Sequence, residues 1–286
     1  MNDNKYNSPK RINNNLYIIV FIIMFLSGLS VMLYPVISNY INTNMYNKNI
    51  NEYTYKVSNT NSDIKEDILN KAYLYNSNLK ETSIQDIFST DINIKDNEYD
   101  NVLNVDGRGL MGYISIPKIN VKIPIYHSTY EDVLNKGVGH LKGSSLPVGG
   151  IGTHSILAAH RGLPTSKLFT DLDSLKSGDK FYIYILDEVL AYEVDNISVV
   201  KPNDLSMLEI DENNDYVTLV TCTPYGINTH RLLVRGKRIE ENNNVDKDIK
   251  VSVSKDTKLL YISFIIIILI TIICTKKIKK ENNLKK

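Results

Sequence analysis

Apolar and polar positions change rhythm several times along this 286-residue chain. Residues 16–34 (LYIIVFIIMFLSGLSVMLY) run 19 positions without a charge ahead of Pro35, and residues 259–275 (LLYISFIIIILITIICT) run 17. At about 1.5 Å per residue, helices of that length measure roughly 25–28 Å, close to the ~30 Å hydrocarbon core of a bilayer. Tyr17, Tyr34 and Tyr261 stand near the ends of these runs, where amphipathic rings favour the interface. The first run exceeds the apolar part of a usual signal peptide and no small-residue cleavage site follows it, so it reads as a retained anchor over 16–38. The second is apolar all round and ends in KKIKK, which suits a membrane span better than a soluble core.

Between the two spans the pattern predicts a mainly β domain. Residues 39–62 are rich in Asn, Ser, Thr and Tyr and read as a solvated stalk. From Ser62 or Asp63 a capped helix is expected, with Ile64, Ile68, Leu69, Ala72 and Tyr75 on one face. Residues 76–106 lose that period and read as an extended, polar surface segment. Beyond Gly107, short β-rich runs occupy 111–116, 121–126, 154–160, 180–186, 190–200, 216–222 and 231–238, with Gly, Pro, Asn and Asp in the gaps. Many short strands with few helices among them predict a closed β-barrel over 107–240, followed by a polar tether, 241–258.

Charge sharpens the picture once it is divided by region. The whole chain is formally +1, but residues 1–38 carry +2 and residues 259–286 carry +5, which leaves about −6 for residues 39–258. An acidic middle without a basic patch excludes the usual nucleic-acid binding mode, in which clustered Lys and Arg meet phosphates. Lys5, Lys10 and Arg11 precede the first span, and Lys276, Lys277, Lys279 and Lys280 follow the second. The positive-inside rule then puts residues 1–15 and 276–286 in the cytoplasm and the domain between the spans outside the cell membrane.

Two cysteines are present, and Cys274 falls inside the second span. Cys222 is thus the one thiol of the external part, and in an oxidising compartment it needs either burial or a chemical role. It ends the apolar run YVTLVTC, and Arg231 opens the next β-like run nine residues on. Adjacent strands joined by so short a connection would bring thiol and guanidinium to one rim. There Arg could hold a carbonyl oxygen and favour the thiolate. Of the five histidines, His160 ends the run SILAA and so lies at a strand end, whereas His154 opens that run at the opposite rim. His127 and His140 sit in Gly- and Ser-rich segments, and alternation aims His230 away from Arg231. Spacing favours His160 and leaves the other histidines open.

These residues carry a resemblance. TLVTC (218–222) with Arg231 downstream resembles the sortase signature, and TCTPYGINTHRLLVRGKR (221–238) is similar to the class C, pilin-polymerising members. So are GYISIPKINVKIPIYH (112–127), VGHLKGSSLPVGG (138–150) and AHRGLPTSKLFTDLD (159–173). The resemblance covers roughly 107–238 and implies an eight-stranded sortase barrel with short helices between N- and C-terminal transmembrane helices. It implies Cys222 as nucleophile, His160 as proton donor and acceptor, Arg231 as oxyanion or substrate holder, and Thr221 in contact with substrate. The implied activity is cleavage of an LPxTG-like sorting motif on a pilin or other surface protein and joining to a lysine amine. A family lid motif, Asp-Pro-aromatic, has its best match at Asp86-Ile87-Phe88, with Ile87 in place of proline.

Three other readings remain. A cell-wall-anchoring sortase would use a cell-wall precursor amine. A hydrolytic cysteine protease of the papain type would place its Cys beside Trp at a helix start, whereas this chain has no Trp and its Cys ends a strand. A non-catalytic envelope scaffold explains the two spans but not Cys222. No spacing of the C-x-x-C or H-x-x-x-H kind points to a metal, and no cofactor is expected.

Overall fold

The computed structural model describes residues 14–79 and 97–241, together with Ile265 and Lys276. Apart from Ile265 and Glu241, the expected second span and the tether lie outside the described residues, as do Asp86 and Phe88. The chain divides into two compact units, one of Met1–Ile37 with Val253–Lys286 and one of Ser38–Ser252.

In the first unit, α1 (Asn14–Ser58) opens with a stretch long and apolar enough to cross a membrane. The helix runs on through Pro35 and past the unit's end. This changes the reading of the stalk. Residues 39–58 are helical, and Tyr46, Ile50, Tyr53 and Val57 are buried in the second unit. Their spacing is that of one helix face, and it is masked in the sequence by tyrosines and asparagines that count as polar. The Tyr53 hydroxyl donates to the Met111 carbonyl at 2.9 Å and accepts from the Leu186 N–H at 2.8 Å.

The second helix, α2 (Ser62–Asn78), starts where a cap residue permits it. The Asn61 side chain accepts from the Asp63 N–H, satisfying one of the orphan donors of the first turn. Ala72 is buried, and Ile68, Leu69 and Tyr75 pack against the core, whereas Ile64, in the first turn, is exposed. A short α3 (Asn97–Asn101) then falls where a polar surface segment was expected. It buries Tyr99 completely.

The barrel follows. Its strands are β1 (Leu110–Ile116), β2 (Val121–His127), β3 (Val138–His140), β4 (Thr153–Ala158), β5 (Lys180–Ile185), β6 (Glu188–Val200), β7 (Asp215–Thr223) and β8 (His230–Ile239). Around the closed barrel they run β1-β2-β3-β4-β7-β8-β6-β5. The pairs β2–β3 and β4–β7 are parallel and the others antiparallel. Another short helix, α4 (Glu131–Leu134), joins β2 to β3.

Alternation along β4, β7 and β8 divides their residues between two apolar clusters. Leu157, Ala159, Val217, Leu219, Leu232 and Val234 belong to the main core with Ile114, Ile125 and Phe181. Ile156, Ala158, Val220 and Leu233 face the other way and pack with Leu134, Leu141, Leu205, Met207 and Leu208. The three strands therefore read as continuous apolar runs because both of their faces are covered here.

Two of the histidines are structural. His140 is fully buried between the Tyr99 hydroxyl (2.9 Å from Nδ1) and the Ser145 carbonyl (2.8 Å from Nε2). His154 bridges the Glu209 carbonyl and the Thr218 hydroxyl at 2.8 and 2.7 Å. Burial drives His140 down to about 3 and His154 down to about 4. Their folded values lie below the unfolded one, so the stability they support is complete above pH 6.5 and is lost as pH falls from there. At pH 5 the unfolded chain gains about 2 kcal/mol from each ring it can protonate and the native state cannot. The thermal midpoint should therefore fall between pH 7.5 and pH 5, before most carboxylates titrate. A midpoint that stays flat over that window would contradict the neutral, buried state of both rings.

Candidate active site

Strand register assembles the site. In the antiparallel pair of β7 and β8, Cys222 stands opposite Arg231, two positions beyond the pair Val220 and Leu233. Residues directly opposite one another share a face, so thiol and guanidinium lie on the face of the outer apolar cluster. In the parallel pair of β4 and β7, Ala158 stands opposite Val220. The alignment continues past the end of β4, because the Ala159 N–H donates to the Val220 carbonyl at 3.1 Å. His160 is thereby brought level with Cys222. Three side chains from neighbouring strands meet at one edge of the barrel, beside an apolar floor.

Each of the three has a distinct setting. Cys222 is a half-buried thiol. Arg231 is buried, and its Nη1 reaches the Asn228 and His230 carbonyls at 3.4 Å, which holds the guanidinium against the loop between β7 and β8. His160 is partly buried, and burial pulls its pKa below the ordinary 6.5 while the Glu131 carboxylate on α4 opposes that shift. The ring is thus neutral at pH 7 and able to take a proton.

Thr221 was expected to contact substrate. Its side chain is fully buried, and its hydroxyl donates to the Ala159 carbonyl at 2.8 Å. It joins β7 to β4 on the face opposite Cys222. His127 bonds the Gly109 and Val102 carbonyls, and His230 stands opposite Thr223, on the other face from Arg231. Asp86 and Phe88 lie outside the described residues.

Other contributors carried little sequence signal. Glu131 reaches the electrostatic environment of His160 only through the fold. Arg161 is the residue after His160, and its guanidinium bonds the Thr223 hydroxyl at 3.2 Å and the Asp173 carboxylate. Gly162 has φ +73°, and a β-carbon there would come within 2.8 Å of the Tyr225 ring. That glycine lets the loop after β4 lie against the loop after β7.

Comparison with known proteins gives concordant matches. Residues 114–239 match the family model described as Sortase domain. A curated Sortase A of Bacillus anthracis is 34% identical over 133 residues, which are 46% of this chain and 61% of that protein. Sortase D of Bacillus subtilis is 30% identical over 131 residues, 45% of this chain and 63% of that one. The chain thus aligns with less than two thirds of the length of these curated relatives. Solved structures match over more of the chain. A Streptococcus pneumoniae sortase C, presented for its catalysis and pilin substrate specificity, is 48% identical with a TM-score of 0.63. That match covers 68% of this chain and 97% of that one. Sortase C1 of Streptococcus agalactiae is also 48% identical, with a TM-score of 0.62 and coverage of 68% and 100%. Sortase C-1 of Actinomyces oris is 44% identical, with a TM-score of 0.60 and coverage of 62% and 99%.

A cation opposite the thiol favours its reactive anionic form. Alkylation of Cys222 by iodoacetamide at pH 7, followed by peptide mapping, should therefore slow several-fold in Arg231→Gln. An unchanged rate in a folded variant would show that the guanidinium does not act on the sulfur.

Proposed function

The chain belongs to the sortase family, and on that premise we propose that it is a membrane-anchored cysteine transpeptidase that polymerises pilins. One observation carries the reading: the strand register gathers Cys222, His160 and Arg231 at one barrel edge beside an apolar floor. A nucleophile, a proton carrier and a cationic donor are the groups that acyl transfer requires.

In the proposed reaction, an extended peptide ending in an LPxTG-like sorting motif lies over the floor made by Ile156, Ala158, Val220 and Leu233. Cys222 Sγ attacks the scissile carbonyl carbon as its thiol proton passes to His160. The Arg231 guanidinium holds the oxygen as it gains charge. The carbon–nitrogen bond then breaks, and the leaving amine takes a proton from His160. The resulting thioester is attacked by a lysine amine of another pilin, whose proton His160 takes, the sulfur–carbon bond breaks, and that proton returns to Cys222 as the thiol is restored. The product is an isopeptide bond between two surface proteins. Thr221 serves this site by joining β7 to β4 below the reacting pair.

The proposed setting follows from the sequence. The apolar part of α1 anchors the chain, the barrel over 107–240 works outside the cell, and a second span at 259–275 returns the basic tail, 276–286, to the cytoplasm. Partners are pilins or other surface proteins bearing a sorting motif, and neither nucleic acid nor a cofactor takes part.

The test uses the full chain in detergent, an LPxTG peptide and a pilin domain with surface lysines, read by mass spectrometry. The expected result is a Cys222-dependent thioester adduct followed by an amide-linked product on lysine. Joining only to a cell-wall precursor amine would assign wall anchoring instead, and cleavage without joining would assign hydrolysis. Products from Cys222→Ala would overturn the nucleophile.

The His160 environment adds a pH signature. Acid inactivates by protonating the ring, and burial places that event below pH 6.5. The acid limb of kcat/KM should therefore lie below 6.5. Because Glu131 raises the His160 pKa, Glu131→Gln should move the limb to lower pH. Movement toward higher pH would contradict this assignment.

A further inference from the structure

Arg161 stands one residue beyond His160, and its longest reach is to the residue one beyond Cys222. Its Nη1 donates to the Thr223 hydroxyl at 3.2 Å, and its Nη2 pairs with the Asp173 carboxylate. The Arg161 side chain is only 9% exposed, whereas that of Asp173 is 50% exposed. Its Nε is buried and has no acceptor among the described residues. A guanidinium taken out of water for one neutral hydroxyl and one half-solvated carboxylate is a poor source of stability. A leucine or methionine of similar volume would fill the space at less desolvation cost, so the contacts call for a reason other than packing.

Geometry supplies the reason. Along β7, Thr221 and Thr223 alternate with Cys222 and face away from it. Thr221 bonds the Ala159 carbonyl, and Thr223 accepts from Arg161. Two consecutive inward-facing threonines of β7 thus hold the two residues that bracket His160. The second hold extends through Asp173 into the 3-10 turn Leu172–Ser174, whose Leu172 is fully buried in the main core. The same loop is fixed a second time by the Phe169 N–H, which donates to the His160 carbonyl at 3.2 Å, and by the Gly162 N–H, which donates to the Thr170 hydroxyl at 3.1 Å.

We propose that Arg161 is a positioning residue: from behind the sheet it clamps the ends of β4 and β7 together and so sets the placement of His160 against Cys222. The planar fork of an arginine suits this task because it can hold a hydroxyl and a carboxylate at once in fixed directions. A lysine ammonium offers one point charge. The proposal rests on the transpeptidase reading for its link to turnover, but the clamp itself can be read without any substrate.

The experiment measures the pH dependence of Cys222 alkylation by iodoacetamide in the full chain in detergent. It compares the unaltered protein with His160→Ala, Arg161→Met, Arg161→Lys, Thr223→Val and the double variant Arg161→Met with Thr223→Val. Circular dichroism and thermal midpoints are recorded for each. The His160→Ala profile defines what the thiol does without its ring partner. Arg161→Met is expected to move the profile toward that of His160→Ala while the folded signal is retained. Thr223→Val, which keeps the arginine and nearly the same volume, should move it the same way, and the double variant should add little to either single change. Arg161→Lys should recover only part of the original profile. With sorting-motif peptide, thioester formation should fall about ten- to a hundredfold in kcat, the range for a misplaced reacting group, with KM little changed.

An alkylation profile unmoved in both Arg161→Met and Thr223→Val would overturn the clamp. So would full recovery by lysine, or effects of the two single changes that simply add. If Arg161→Met fails to fold, Thr223→Val decides. Should the unaltered protein form no thioester with any sorting-motif peptide, the functional reading fails while the alkylation profiles still settle the clamp.

Discussion

Two strands paired in parallel end at the same edge of a sheet, and β4 and β7 are paired in this way in the barrel wall. The arrangement obliges the chain to make a long crossover between them, which here contains β5 and β6. In return, the residue after one strand and the last residues of the other are adjacent in space. The antiparallel pairing of β8 on the far side of β7 completes the row with the start of that strand. His160, Cys222 and Arg231 occupy one edge because of that mixed pairing, and no local feature of sequence could have joined the first of them to the other two.

The same strands serve two apolar clusters at once. Their inward residues fill the barrel, and their outward residues make a floor that Leu205, Met207 and Leu208 border from the connection between β6 and β7. A barrel wall that is apolar on both faces does not bend toward solvent on either, so the groups at its edge inherit a stiff support. Polar contacts then act where apolar packing gives out, at the strand ends. Thr221 to Ala159 and Arg161 to Thr223 are both of this kind. Further along the loop after β4, α1 braces it: Asn42 donates to the Thr165 carbonyl at 2.7 Å, Tyr46 shares a 2.7 Å hydrogen bond with Ser166, and Asn39 accepts from the Lys167 N–H at 2.9 Å.

Much of this was legible from the residues, for identifiable reasons. Seven of the eight strands show as runs of β-branched and aromatic residues between Gly, Pro, Asn and Asp, and the closed, mainly β fold followed from their number. The remaining strand, Val138–His140, is three residues long and too short to leave a pattern. Residues 39–58 misled because their buried face is built of Tyr46, Ile50, Tyr53 and Val57 among asparagines, so a helical period passed for a polar stalk. Tyr99 was hidden the same way, in a polar stretch, though its fully buried ring closes on His140. Within the site, Cys222 drew notice as the one cysteine between the two long apolar runs and Arg231 by its distance along the chain. Choosing among five histidines needed the family resemblance, since strand-end position is shared by more than one of them. Glu131 and Asp173 act across the fold and leave no trace in spacing.

The position of β8 bears on how the molecule comes into being. It is the last strand among the described residues, yet it lies between β6 and β7, which pair with it rather than with each other. A chain that emerges from its N-terminus first can therefore align β4 with β7 and still hold an open sheet with two unsatisfied edges. Closure waits for residues 230–239, whose pairing with β7 is a local hairpin and whose pairing with β6 reaches back across the whole of β7. During that interval Cys222 already exists as a thiol while Arg231 has yet to arrive opposite it. The pairing of thiol and guanidinium is thereby assembled late, by the same strand that seals the barrel.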